Sequence, residues 1–333
     1  MRLGLISLIP KKEKDQRLIA NNRPITLLSI FYKIISGAIA DKLKLVLHYL
    51  INPSQKAYVQ GRYIGEVSKN LIDVMRKLEE QNQEACVMLV DFSKAFDTMS
   101  HQFISNTLKI FGFGNGAITQ IMLLFKNRSS QVCNAGHTSR SFSLGRGVPQ
   151  GDPISAYIFI LGMEILTHRL RTEKFLRKIR IKGKSEIFDI VSQNKIKRTL
   201  GLLEACYADD LTLILPRCRH TVKNVVKILN DFRDVSGLAI NVDKTYLINI
   251  GVNRDQGRCL SWITTEKGKF CPETGIEFIT EFVLLGIKFS NYADFRDQNF
   301  FSLEADLIAA TNFWGKRLFS PLASLPPSQA IPA

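Results

Sequence analysis

An α+β fold is what this sequence predicts, and three stretches carry the prediction. Residues 86–90, Cys-Val-Met-Leu-Val, form an unbroken apolar run leading straight into Asp91, as a strand covered on at least one face does. CYADDLTLIL (206–215) sets an acidic pair between apolar arms, the pattern of two strands joined by a tight turn at Ala208-Asp209-Asp210. Val222, Val225, Val226, Leu229, Phe232 and Val235 then recur at helical spacing before Gly237, which terminates a helix.

The remaining elements follow in chain order. A basic opening, LISLIPKKEKDQRLIANN, precedes a helical face of Leu27, Ile30, Ile34, Ala38, Leu43, Val46, Leu47 and Leu50 that ends near Asn52-Pro53. Val67, Leu71, Val74, Met75 and Leu78 mark a second amphipathic helix. Ser100 caps a short helix through Phe111, and Gly112, Gly114 and Gly116 end it. Asp152 as N-cap and Pro153 at the first helical position open a helix with an apolar body to Leu170. Residues 169–198 hold 11 Lys or Arg against three acids, so an exposed loop or hairpin is expected there. KTYLINI (244–250) and EFVLLGIKFS (281–290) read as strands. Leu303, Leu307, Ala310, Trp314 and Leu318 mark one more helix before a Pro-rich tail, and no internal repeat is visible.

The charge balance narrows the partners. With 45 Lys and Arg against 30 Asp and Glu, the formal charge is +15, which favours nucleic acid over an acidic membrane surface. No stretch reaches the ~18 apolar residues of a spanning helix, and no signal peptide opens the chain. An intracellular protein, nuclear or cytoplasmic, is therefore expected. The six cysteines form no CxxC pair and read as free thiols.

The acids carry the chemistry. Asp91 closes one strand and Asp209 sits at the turn of another; if those strands pair, Asp91, Asp209 and Asp210 meet at one sheet edge. Their repulsion raises the pKa of at least one unless divalent cations hold all three ionised. Two Mg²⁺ ions roughly 3.5 to 4 Å apart do that in in-line phosphoryl transfer. Taken alone, Asp209-Asp210 reads first as a solvated hairpin turn, and Asp97 as structural.

In order and spacing, VDFSKAFD, GVPQGDPIS, YADD, SGLAINVDKT and VLLGI resemble the successive palm motifs of reverse transcriptases. NNRPITLLSIFYKIIS and QKAYVQGRYIGE resemble the fingers motifs of non-LTR (LINE-type) retrotransposons. The resemblance covers about residues 5 to 290. It implies a right-hand polymerase with fingers and an antiparallel palm sheet backed by helices over 1–289, and only a partial thumb helix with a Pro-rich tail over 290–333. It also implies RNA-directed DNA polymerase activity on an RNA template, extending a DNA or RNA primer 3′ end with dNTP, with two Mg²⁺ ions, or Mn²⁺ in their place, as cofactors.

Residue by residue, the resemblance implies that Asp91, Asp209 and Asp210 bind metal, with Phe92 lending its backbone carbonyl. Phe96 takes the place of the steric gate that excludes a 2′-hydroxyl; otherwise it is a core aromatic. Gln150 lies beside the incoming nucleotide, and Gly151 permits close backbone approach. Arg23, helped by Lys11, folds over the triphosphate with its planar fork; Lys244 protonates the leaving pyrophosphate. Leu285 and Gly286 match the primer grip. The basic insert 171–198 departs from the family pattern and either meets template phosphates or is simply solvated. Neither an endonuclease nor a full thumb fits in this chain, so a fragment of a longer element protein and poor processivity are expected. The alternative reading is an inert relic acting at most as an RNA-binding protein.

Overall fold

A computed structural model of the chain describes residues 3–11, 15, 17–134, 136–173, 176, 179, 203–251, 263–265, 268–272, 274–290, 299, 304–305 and 307–309. The chain divides into two units, Met1–Ile279 and Thr280–Ala333.

The first unit opens with β1 (Leu3–Pro10) and β2 (Asn22–Leu27), then α1 (Ile30–Leu50), α2 (Gly65–Glu80), β3 (Glu84–Val90) and the short α3 (Ala95–Thr98). Next come α4 (His101–Ile110), α5 (Asn115–Phe125), β4 (Arg128–Asn134), β5 (His137–Thr138), β6 (Phe142–Leu144) and α6 (Ser155–Thr172). It closes with β7 (Leu203–Tyr207), β8 (Asp210–Pro216), α7 (Arg219–Ser236), β9 (Tyr246–Gly251), β10 (Ile263–Thr265), β11 (Gly268–Phe270) and β12 (Glu277–Phe278).

Seven strands form the main sheet in the order β10-β11-β12-β9-β3-β8-β7. β3 is apolar because it is interior: it pairs antiparallel with β8 on one side and β9 on the other, and Ala85 to Met88 are fully buried. Helix α7 packs on β8, α2 on β7 and β9, and α6 on α1, α4 and α7. The buried side chains of β3, β8, α4, α6 and α7 make one continuous core, with Phe159, Met88, Leu213 and Phe232 among its members.

The second sheet has five strands, β2-β1-β4-β5 with β6 on β4. Its strands have no counterpart in the sequence reading, which took the opening as a basic lead-in and placed Leu27 on a helix. Leu27 instead pairs with Leu5, and α1 starts at Ile30 with Ser29 capping it through the Tyr32 N–H at 3.3 Å. β1 runs parallel to β4, from Leu3↔Ser129 to Ser7↔Cys133. A parallel partner that far along the chain leaves no local signature.

Two helix boundaries are corrected. Ser100 caps α4 as expected, through the Phe103 N–H at 3.4 Å, but Gly114 begins α5 rather than ending a helix. Asp152 is not the N-cap of α6, which lies at Ile154 with no side-chain cap. The Asp152 carboxylate accepts from the Tyr32 hydroxyl at 2.8 Å and from the Ser36 hydroxyl. It is buried and ties α6 to α1; the same carboxylate meets the Ile154 N–H only at 3.5 Å, so its short bonds go to the two α1 hydroxyls rather than to the helix entrance.

The second unit contains the hairpin β13 (Glu281–Leu284) and β14 (Ile287–Ser290), so EFVLLGIKFS is two strands rather than one. Asn299 donates to the Lys288 carbonyl at 2.7 Å and accepts from its N–H at 2.8 Å. Glu304, Ala305 and 307–309 are helical; the rest of the expected last helix lies outside the described residues, as does most of the 171–198 insert.

Candidate active site

Strand pairing brings the acids together. β3 pairs with β8 up to Val90↔Leu211, so the next residues on the two strands, Asp91 and Asp210, stand side by side at one end of the sheet. β7 and β8 pair out to Tyr207↔Asp210, leaving Ala208 and Asp209 as the loop, with Asp210 already the first residue of β8. Ala208 has φ 56°, the positive value that a type II′ hairpin requires at its first loop residue.

Both hairpin carboxyls are pushed up. Burial first, then the Asp91 charge, pushes the Asp209 carboxyl above its ordinary value, against a backbone hydrogen bond that lowers it. Asp210 is pushed up to about 6 by desolvation, then by the charges of Asp209 and Asp91, although part of its surface is exposed. Asp97, raised by its own burial and lowered by Lys94, is separate from this cluster.

The SGLAINVDKT segment holds Asp91 from the other side. Asn241 N–H donates to the Asp91 carbonyl at 2.8 Å and Ser93 N–H to Ala239 O at 2.9 Å, flanking an antiparallel Phe92↔Ile240 bridge. In that pattern the Phe92 carbonyl points away from Ile240, toward the opposite side of the strand. Thr245 Oγ1 accepts from the Asp91 N–H at 3.4 Å. Lys244 ends a 3₁₀ turn, Val242–Lys244, on this same segment, with its side chain exposed.

A third strip of backbone joins the PQG loop to both neighbours. Gly147 N–H donates to Met99 O and Val148 N–H to Phe96 O, each at 2.7 Å, while Thr26 N–H donates to Gln150 O at 2.8 Å. Gly151 has φ 111°, and a Cβ there would lie 2.8 Å from Thr26 O. Gln150 and Gly151 are thereby fixed to β2, whose exposed Arg23 lies opposite Ile9; Lys11 follows β1 with its N–H on Asn21 O at 2.9 Å. Phe96 is half-buried and stacks on Phe159, ring centroids 4.5 Å apart, so one face of its ring serves the core. Leu285 and Gly286, with φ 50° and 85°, form the type I′ loop of the β13–β14 hairpin in the second unit.

Three features escaped the sequence reading. Gln55, quoted within QKAYVQGRYIGE without a role, is buried against the Ala208 loop. Tyr58, at φ 59°, has its hydroxyl pKa raised by burial and then by the nearby Asp209 and Tyr207. Arg171, assigned to the exposed insert, ion-pairs with both Glu164 and Glu204; no charge count distinguishes it from the other basic residues of that run. A cleft of about 570 Å³ beside Tyr207 is lined by Lys44, Lys56, Tyr58, Arg62, Tyr63 and Tyr157, among others. Five cysteines among the described residues form no disulfide, and no helix among those residues is long and apolar enough to cross a membrane.

Among the described residues no three His, Cys, Asp or Glu side chains close a metal cage by themselves. The donor set nevertheless fits a hard cation, since Mg²⁺ is commonly held by one or two carboxylates, with water and substrate phosphates completing its shell.

An antiparallel strand, an acidic hairpin beside its end and helices behind define a right-hand polymerase fold. A solved telomerase from Candida tropicalis, in complex with a telomeric RNA fragment, shares that fold with a TM-score of 0.50 at 15% identity, covering 83% of this chain and 44% of that one. Residues 9–279 match the family model "Reverse transcriptase (RNA-dependent DNA polymerase)", and the chain belongs to that family, whose chemistry uses divalent metal ions. Its relatives are non-LTR retrotransposon proteins. One is the transposon TX1 149 kDa protein of Xenopus laevis, 34% identical over 49% of this chain and 12% of that protein. Another is the Pol polyprotein of the type-2 element R2DM of Drosophila melanogaster, 26% identical over 75% of this chain and 22% of that protein. The chain thus spans less than a quarter of either relative.

Proposed function

We propose that this chain is an RNA-directed DNA polymerase that extends a primer 3′-hydroxyl with dNTP along an RNA template. One observation carries the proposal: with β3 and β8 paired, Asp91 stands beside Asp210 and Asp209 at one end of the sheet, and its charge adds to the burial that raises the proton affinity of those two carboxyls. Carboxylates so arranged lose their mutual repulsion when a divalent cation joins them. Two Mg²⁺ ions bound there, or Mn²⁺ in their place, would supply activation of the primer hydroxyl and neutralisation of the leaving pyrophosphate.

The chain's own residues do the rest. Asp91 and Asp209 would hold metal, with Asp210 completing the set and the Phe92 carbonyl adding a neutral oxygen. Arg23, with Lys11, binds the triphosphate, and the Thr26–Gln150 link keeps that strand in register with Gln150 and Gly151 beside the nucleotide. Phe96, braced on Phe159, is the gate against a 2′-hydroxyl. Lys244 protonates the pyrophosphate, and the Leu285-Gly286 loop is the primer grip. In this reading residues 1–289 are fingers and palm, and 290–333 begin the thumb. The net charge of +15 and the tyrosine- and lysine-lined cleft beside Tyr207 suit a nucleic-acid backbone with stacked bases.

The test is dNTP incorporation on a primed RNA template with Mg²⁺, comparing the native chain with Asp209→Asn. Incorporation by the native chain alone is expected. Equal signals would remove the enzyme reading, and no signal from either would favour an inert, RNA-binding relic.

A further inference from the structure

The acidic loop sits at the exposed end of an edge strand, and its first residue is held in a conformation that alanine rarely adopts. Ala208 is non-glycine at φ 56°, a left-handed value that persists only where the surroundings dictate it. Among the described residues β7 is the last strand of its sheet, so no further strand there dictates it.

What lies along that edge is the segment 54–56. Cys206 N–H donates to Ser54 O at 3.1 Å and Lys56 N–H to Cys206 O at 2.9 Å, a parallel bridge centred on Gln55. The Gln55 side chain then continues where the backbone pairing stops. Its Oε1 accepts from the Ala208 N–H at 3.0 Å and from the Ala57 N–H at 3.0 Å. Its Nε2 donates to the Ala208 carbonyl at 3.3 Å. Gln55 is 3% exposed and Ala208 5%, so water does not replace these bonds. Only a carboxamide offers an acceptor and a donor together at this reach.

We infer that Gln55 is a positioning residue for the polymerase site: its carboxamide clamps both polar groups of Ala208 and so fixes where Asp209, the next residue, presents its carboxylate. The inference rests on the polymerase reading and adds to it a residue that touches neither nucleotide nor metal. Asp209 reaches its place by way of the backbone, so releasing Ala208 moves the carboxylate without altering its chemistry.

The test uses Gln55→Met, which keeps the volume and removes all three side-chain bonds, and Gln55→Met with Ala208→Gly, which makes the positive φ free of strain. Two readouts are followed in the full chain: steady-state dNTP incorporation, and Tb³⁺ luminescence sensitised by Tyr58 and Tyr207, which needs no turnover. Expected for Gln55→Met is a fall in kcat on the order of 10–100-fold with KM for dNTP within about twofold, the cost of a misplaced reacting group. Half-saturating Tb³⁺ rises in step, and Ala208→Gly recovers part of both losses. A lower melting temperature with kcat and Tb³⁺ binding unchanged would overturn the inference, leaving Gln55 a packing residue. Should Gln55→Met fail to fold, Gln55→Asn, whose shorter amide cannot span both groups of Ala208, is read by the same criteria. If the native chain binds no Tb³⁺ that Asp209→Asn abolishes, the metal reading itself fails, a result distinct from failure of the clamp.

Discussion

Replacing Gly151 with alanine tests how the loop before α6 is joined to the strand carrying Arg23. At φ 111°, a Cβ would stand 2.8 Å from the Thr26 carbonyl oxygen, closer than Cβ atoms are found, and the obstacle is backbone. The unfavourable φ costs about 1–2 kcal/mol. Forcing β2 away from the loop costs about 1–3 kcal/mol more, as overpacking does. The sum, about 2–5 kcal/mol, lowers a urea midpoint by roughly 1 M at a slope of about 3 kcal/mol per M. The displacement also stretches the 2.8 Å Thr26–Gln150 bond, so KM for dNTP rises more than kcat falls. Gly37→Ala is the control: nothing lies within 4 Å of the added methyl in mid-α1, and a gain of about 0.5–1 kcal/mol is expected. Equal midpoints for native and Gly151→Ala, with unchanged KM, would refute the reasoning.

Other expectations follow from the same geometry. With Asp210 raised to about 6, the folded metal-free chain holds that proton more tightly than the unfolded one. Its contribution to stability is therefore present below about pH 4 and lost as pH rises through about 6. Asp210→Asn flattens that loss and raises the denaturation midpoint at pH 7 without metal; a steeper pH slope in the variant would contradict the assignment. Arg171→Ala leaves Glu164 and Glu204 facing each other in a site where the Glu204 side chain is 3% exposed, at a cost of about 3–5 kcal/mol. Adding Glu204→Gln recovers part of it, measurable in a double-mutant cycle; strict additivity would show that the ion pairs do not couple. Phe96→Ala relaxes the preference for dNTP over rNTP by about 10-fold or more, read from kcat/KM for each; unchanged discrimination confines Phe96 to its stacking on Phe159.

Much of the main sheet and the helices on it was legible because the signals are local. Cys86 to Val90 must be a covered strand whatever pairs with it, and the period of Val222 to Phe232 makes a helix with one buried face. The five-stranded sheet was not legible. β1 depends on pairing with residues 22–27 and, in parallel, with 128–134, and nothing in LISLIP announces either. Asp152 shows a subtler limit: Asp-Pro before an apolar run is a helix start by composition, yet the carboxylate is claimed by Tyr32 and Ser36 from 120 and 116 residues away.

By itself, then, the amino-acid order determined the strands of the main sheet's centre, the helices with a clear apolar period and that acids stand at two strand ends, because periodicity and turn chemistry act over a few neighbouring residues. Only the tertiary structure decided that Asp91 and Asp210 are neighbours, that Arg171 is an internal ion-pair partner, and that Gln55 grips a loop 153 residues away. Hydrogen bonds and charges act over a few ångströms of space, and chain sequence does not specify that distance until the sheet has closed.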